Sequence, residues 1–197
     1  MISRVKAVTK ERLFLSAETA DRAIGIIFFL WATALSAYVY IPIPGTPVPI
    51  TLQTFFVLLA AALLRRSDGL AAMSGYVALG AMGLPFFAAG RAGLGYFFGP
   101  TAGYLVGFVL AVAVIKRVMA TQHSERAALP TLIVAMAAGI AVIYACGITW
   151  LAAITRLSLT DAWRAGALPF IAADAFKLAT AAVIAQRYQA WRGRITC

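Results

Sequence analysis

From residue 23 onward the chain alternates between apolar runs and short connectors, with runs at 23–41, 50–64, 69–84, 100–118, 130–153 and 168–187. A helix needs about 20 apolar residues to cross hydrocarbon roughly 30 Å thick. The second and third runs are short, which predicts helices that tilt, break or stop partway. The pattern as a whole predicts an all-α membrane protein of six transmembrane helices, with one membrane domain over 23–188. A basic segment, 1–22, precedes it, with helical periodicity around Glu11 to Arg22 that suits the membrane surface. A short tail, 189–197, follows. Pro130 and Pro169 fall where first turns of the fifth and sixth helices are expected, positions at which a missing N–H costs little. Two connectors break the helical pattern: IPIPGTPVP, between the first and second runs, and the glycine-rich GLPFFAAGRAGLGYFFGPTAGY, between the third and fourth. In a bilayer such irregular backbone is tolerated only against protein or beside an aqueous cavity.

Composition strengthens this picture. The chain is 62% apolar and 12% charged, with a mean hydropathy of +0.88, outside the range of soluble domains. Its net charge of +10 does not point to nucleic acid, because the basic residues flank apolar runs and form no stripe with interleaved aromatics. They report orientation instead. In a six-span arrangement thirteen basic residues fall on the side holding both termini: Arg4, Lys6, Lys10, Arg12, Arg22, Arg65, Arg66, Lys116, Arg117, Arg126, Arg187, Arg192 and Arg194. Only Arg91, Arg156 and Arg164 fall on the other. Both termini are therefore expected in the cytoplasm, with the proline-rich and glycine-rich connectors outside. The Ile24 to Ala37 stretch resembles a signal-peptide core, but Glu11, Glu18 and Asp21 precede it and further spans follow, so it is taken as the first span.

Lys177 is the one basic residue inside a span, and Asp174 precedes it by three positions, on the same helix face. Ionisable groups at that depth are expensive, face protein or water, and mark functional sites by default; the alternative is a pair that only locks helix packing. Gln53, near the outer start of the second helix, offers an amide for a ligand or for neighbouring backbone. Tyr144, on the fifth helix with Trp150, offers a ring to stack on or a core contact. Arg91 is the sole charge in the glycine-rich connector and could meet an anion or simply snorkel. Ala32 and Ser36 form a small-xxx-small pair on helix one that admits a close partner helix. Catalysis has little to draw on. His123 is the single histidine and lies in a connector, Cys146 and Cys197 show no metal or disulfide spacing, and no Walker A or zinc-protease motif is present. The G-x-G spacings lack the preceding strand that a dinucleotide site needs. No metal and no cofactor is expected.

Together IPIPGTPVPITLQT, ALGAMGLPFFAAGRAGLGYFFGPTAGYLVGF and LPFIAADAFKLATAA closely resemble BioY, the family of biotin-binding S components of energy-coupling factor (ECF) transporters, over residues 23 to 188. The resemblance implies a compact six-helix protein of the bacterial cytoplasmic membrane, embedded in lipid, that captures biotin from outside. It also implies a transmembrane coupling subunit and a pair of cytosolic ATPases as partners. On it, Asp174 and Lys177 grip the ureido group of biotin, Gln53 is a further ligand, and Tyr144 packs against the thiophane ring. The carboxylate points to a mouth near Arg91 or the loop N–H groups around Gly93. The outer gating loop falls on Gly45, Thr46, Pro47, Val48 and Pro49, the glycine-rich loop on Gly90 to Gly95, and the partner-helix contact on Ala32 and Ser36. The proline connector is then expected to act as a lid, because proline removes donors and leaves little entropy to lose on closing. An S component for another vitamin, a biotin transporter acting without the ATPase module, a membrane-embedded enzyme and a purely structural subunit are the competing possibilities.

Overall fold

A computed structural model describes residues 2–121 and 127–195; His123, Arg126 and Cys197 lie outside the described residues. The chain is mostly helical. Helix α1 spans Ile2–Ser36, α2 Gln53–Leu63, α3 Arg66–Ala81, α4 Ala102–Met119, α5 Leu129–Thr155, α6 Leu159–Gly166 and α7 Ile171–Ile195. Four segments of the described residues are long and apolar enough to cross a membrane: Glu18–Ser36, Ala102–Met119, Leu129–Thr155 and Leu159–Arg192. As the short runs predict, α2 has 11 residues and α3 has 16, less than a full span. Large apolar side chains face outward, with Ile24, Phe28, Leu35 and Phe176 all more than half exposed, as lipid-facing surfaces require.

Three features depart from the pattern of runs. Helix α1 continues without a break through residue 22, so the polar and apolar halves of that segment share one helix. A helix, α6, occupies the connector before the last span; Ser158 caps it by accepting the Asp161 N–H, a local signal that an apolar-run search passes over. Pro169 lies not in the first turn of α7 but in a 3₁₀ turn over 168–170 that leads into it. Pro130 does occupy the first turn of α5.

The contacts sort the helix ends into two groups. At one end Arg22 pairs with Asp68 at 2.7 Å, Arg65 with Glu18 at 2.7 Å, and Lys116 donates to the Ala62 carbonyl at 3.3 Å. At the other end the Tyr38 hydroxyl donates to the Pro85 carbonyl, Trp150 Nε1 to Gly99, and the Tyr104 hydroxyl to Gly166. The irregular connectors belong to this second end. The proline-rich one is closed by a two-residue antiparallel ladder, β1 (Tyr40–Ile41) against β2 (Ile50–Thr51), which makes it a strap with fixed ends. Gly45, with φ of 84°, turns the strap back on itself. The glycine-rich connector folds as two 3₁₀ turns, Ala88–Gly90 and Leu94–Phe98, with Gly83, Gly90 and Gly93 at positive φ.

Between the two ends, α4 and α5 pack with almost no side chain between them. A Cβ on Gly103 would lie 2.4 Å from the Cys146 carbonyl oxygen, and one on Gly107 2.8 Å from Ile143 Cα. Glycines four apart on one face let backbones meet at that range. The core is apolar around Tyr76, Phe87, Leu58, Met73 and Ile115.

Candidate functional site

Below the strap a cavity of about 60 Å³ is enclosed by α2, α4, α5 and α7. Val48, Pro49, Ala88 and Tyr96 form its roof; Tyr104, Phe108, Tyr144 and Phe170 are among its walls. Asp174 and Lys177 provide its polar floor, with Gln53 and Thr54 beside them. A second chamber of about 150 Å³ lies above, between the strap and the glycine-rich turns, and shares Val48, Pro49, Ala88, Tyr96 and Thr101 with the first. These five residues are the common wall of the two chambers.

The floor is built where the first turn of α2 meets the first two turns of α7. Asp174 and Lys177 are 4% and 9% exposed and pair at 2.8 Å. Lys177 also donates to the Thr51 carbonyl at 2.6 Å and to Thr54 Oγ1 at 3.2 Å. An ammonium has three N–H donors, so all three are engaged. Thr54 donates in turn to Asp174 Oδ1 at 3.0 Å, and the Tyr144 hydroxyl donates to Asp174 Oδ2 at 2.6 Å. A carboxylate offers about four acceptor positions, and three are filled; one remains, on Oδ2. Buried charge is tolerated here because each charge is paired and hydrogen-bonded.

The structure brings together Asp174, Lys177, Gln53, Tyr144, Val48 and Pro49 around the lower chamber. Arg91, Thr46 and Pro47 border the upper one. Gly45 stands at the exposed turn of the strap. Gly93 borders neither chamber, and its N–H donates to the Gly80 carbonyl at 2.7 Å. Ala32 and Ser36 border a shallow apolar groove on the outside of α1 with Trp31, Leu35, Leu52 and Phe56. Ser36 is buried and donates to the Thr33 carbonyl, so its hydroxyl is spent within its own helix.

Sequence reasoning passed over Thr51 and Thr54, which tie the ion pair to α2, and Tyr104, a wall of the lower chamber. The polar cluster TLQT at the head of an otherwise apolar run was the available signal for the two threonines. Tyr104 carried a weaker one. Its ring lies against Gly147, where a Cβ would meet it at 2.3 Å, and that contact is visible only once α4 and α5 are packed.

The sequence profile of the BioY family matches residues 8–194. A biotin transporter BioY of Thermotoga maritima is 41% identical over 148 residues, covering 75% of this chain and 85% of that one. One from Rhodobacter capsulatus is 39% identical over 173 residues, covering 83% and 91%. A crystal structure of the S-component for biotin from an ECF-type ABC transporter superposes with a TM-score of 0.82 at 23% identity, covering 88% of this chain and 93% of that one. That likeness establishes the fold, and the profile and the relatives establish the lineage: this chain is a multi-pass membrane protein of the BioY family.

Proposed function

We infer that this chain takes up biotin, as the S component that binds the vitamin for an ECF-type transporter. The observation that carries the inference is the buried Asp174–Lys177 pair at the base of a hollow walled by aromatic rings. Biotin matches it in kind: a neutral ureido group with two N–H donors and one oxygen, a flat apolar ring system, and a chain ending in a carboxylate. Asp174 Oδ2, with its one open acceptor position, takes a ureido N–H. Lys177 gives the ureido oxygen a donor by exchanging its longest contact, the 3.2 Å bond to Thr54. Gln53 supplies a further polar contact, the ring packs against Tyr144, and the chain rises past Val48 and Pro49 toward Arg91. The bonded Gly93 N–H makes Arg91 the better anchor for the carboxylate.

Six helices cross the bacterial cytoplasmic membrane in this proposal, α1 to α5 and α7, with both termini in the cytoplasm and residues 23–188 as one membrane domain. The basic end faces the cytoplasm and the hollow faces out. The strap, residues 45–49, is the lid. The lower chamber holds a few waters at about 10–15 Å³ each, too little for a bicyclic ligand, so Val48 and Pro49 move aside for loading. As an ECF-type S component the chain draws its energy from a coupling subunit and a pair of ATPases, with the groove beside Ala32 and Ser36 as the contact for the coupling subunit.

The test is calorimetric titration of the purified chain with biotin, riboflavin and thiamine. Biotin alone should bind, and Asp174→Asn and Lys177→Met should each weaken it by at least about a hundredfold, the cost of stranding one buried charge. Wild-type affinity in Asp174→Asn protein, or binding of another vitamin in preference, would overturn the assignment.

A further inference from the structure

Tyr76 lies one layer behind the lower chamber and touches no part of it. Its side chain is fully buried, stacked parallel to Phe86 at 6.3 Å and edge-on to Phe87 at 5.9 Å. Its hydroxyl has two polar neighbours, the Phe86 carbonyl at 3.2 Å and the side-chain amide of Gln53. A phenol has one proton to give. The Phe86 carbonyl can only accept, and among the described residues no other group donates to it. The proton therefore goes to Phe86, and the hydroxyl must accept from Gln53. That fixes the amide: its NH₂ turns back toward Tyr76, and its carbonyl oxygen, Oε1, turns the other way. No described group donates to Oε1, and the described residues contain no buried side-chain oxygen without a partner. Oε1 therefore borders open space, and Gln53 lines the lower chamber.

We propose that Tyr76 is a positioning residue that locks the Gln53 amide with its oxygen facing the chamber, so that the site offers a hydrogen-bond acceptor there and not a donor. The relay Phe86 carbonyl, Tyr76 hydroxyl, Gln53 amide turns the backbone of the glycine-rich connector into a specificity element of the floor. With the open position on Asp174 Oδ2, the chamber then presents two acceptors, which suits a ligand bearing two N–H donors and disfavours one that presents lone pairs at the same places. This rests on the biotin proposal for the ligand, although the amide orientation itself does not.

The experiment is a double-mutant cycle on the full-length chain in nanodiscs, read by biotin titration. Tyr76→Phe should weaken biotin binding about tenfold in the otherwise unchanged protein, as expected for one lost positioning bond. In a Gln53→Ala background the same change should alter affinity less than about twofold, because there is no amide left to orient. Equal losses in both backgrounds, or none in either, would overturn the proposal. Nuclear magnetic resonance on wild-type protein labelled with ¹⁵N-glutamine gives an independent readout that needs no folded Tyr76 variant. The chain has four glutamines, and the Gln53 signal is assigned by its loss in Gln53→Ala. In the locked orientation one Nε2 proton is protected from exchange with water and shows a nuclear Overhauser contact to the Tyr76 ring; an Nε2 group without that contact also overturns the proposal. Absence of biotin binding to the wild type would instead overturn the ligand while leaving the amide measurement decisive for the lock.

Discussion

At the scale of single residues, the floor behaves as one unit because every donor of Lys177 and Thr54 is engaged within it. Thr54 is its hinge, accepting from Lys177 at 3.2 Å and donating to Asp174 at 3.0 Å. Thr54→Val keeps the shape and removes both bonds, leaving a buried ammonium one acceptor short. In the free protein such an unsatisfied charged group costs about 1–3 kcal/mol, so the melting temperature without biotin should fall, with Thr54→Ser restoring most of it. Biotin, whose ureido oxygen replaces that bond, should raise the melting temperature more than it does in the wild type. Tyr144→Phe is expected to act in the opposite sense on one count. It frees a second position on Asp174 Oδ2 and keeps the ring, so biotin affinity should change by less than about tenfold, the worth of one hydrogen bond, as titration checks. A larger loss in Tyr144→Phe would mean that the hydroxyl, not the ring, is what biotin needs.

At the scale of elements, the strap and the α4–α5 seam do different work. Pro47 and Pro49 limit the conformations open to the strap when it is released from the hollow. Each Pro→Gly change at a compatible site costs about 0.4–1 kcal/mol through the freer open chain. Pro47→Gly with Pro49→Gly should then speed biotin dissociation about four- to thirtyfold in stopped-flow exchange, with a lower melting temperature as well, since the unfolded chain gains the same freedom. The seam sets the walls instead. A methyl on Gly147 would sit 2.3 Å from the Tyr104 ring, and overpacking of that kind costs about 1–3 kcal/mol. Gly147→Ala should therefore lower both melting temperature and affinity, since Tyr104 can yield only by entering the chamber or by breaking its bond to Gly166. The elements differ in how much of this was legible beforehand. Charge inside an apolar run exposed Asp174 and Lys177, and proline density exposed the strap. The β1–β2 ladder that closes the strap did not show, because two-residue strands leave no alternation to read. The relay through Tyr76 did not show either, since a tyrosine in a helix carries no mark of what it touches 23 residues away. Glycines 103 and 107 were visible as part of a glycine-rich stretch, but their role as a helix seam depends on α5 arriving opposite them.

At the scale of the whole molecule, the two ends of the bundle are chemically unlike, and this asymmetry gives the proposed direction of capture. The ion pairs Arg22–Asp68 and Arg65–Glu18 sit at the end where α2 passes into α3, and Lys116 reaches the last turn of α2 from the end of α4. The hollow, the strap and the glycine-rich turns occupy the opposite end, where Arg91, Arg156 and Arg164 are the basic residues. The proposed orientation follows the rule that the cytoplasmic side retains Lys and Arg, which would turn the hollow outward, where uptake from outside requires it. The orientation can be measured directly. With Cys146 and Cys197 replaced by alanine, a cysteine is placed at Thr46, on the strap, or at Ser67, at the basic end. A membrane-impermeant maleimide applied to intact cells should label Thr46→Cys and spare Ser67→Cys, and permeabilised cells should show labelling of both. Biotin added beforehand should slow labelling at Thr46, because a strap closed over its ligand spends less time open to the reagent. Labelling of Ser67→Cys in intact cells would reverse the bundle in the membrane, and a hollow facing inward would be no use for uptake from outside.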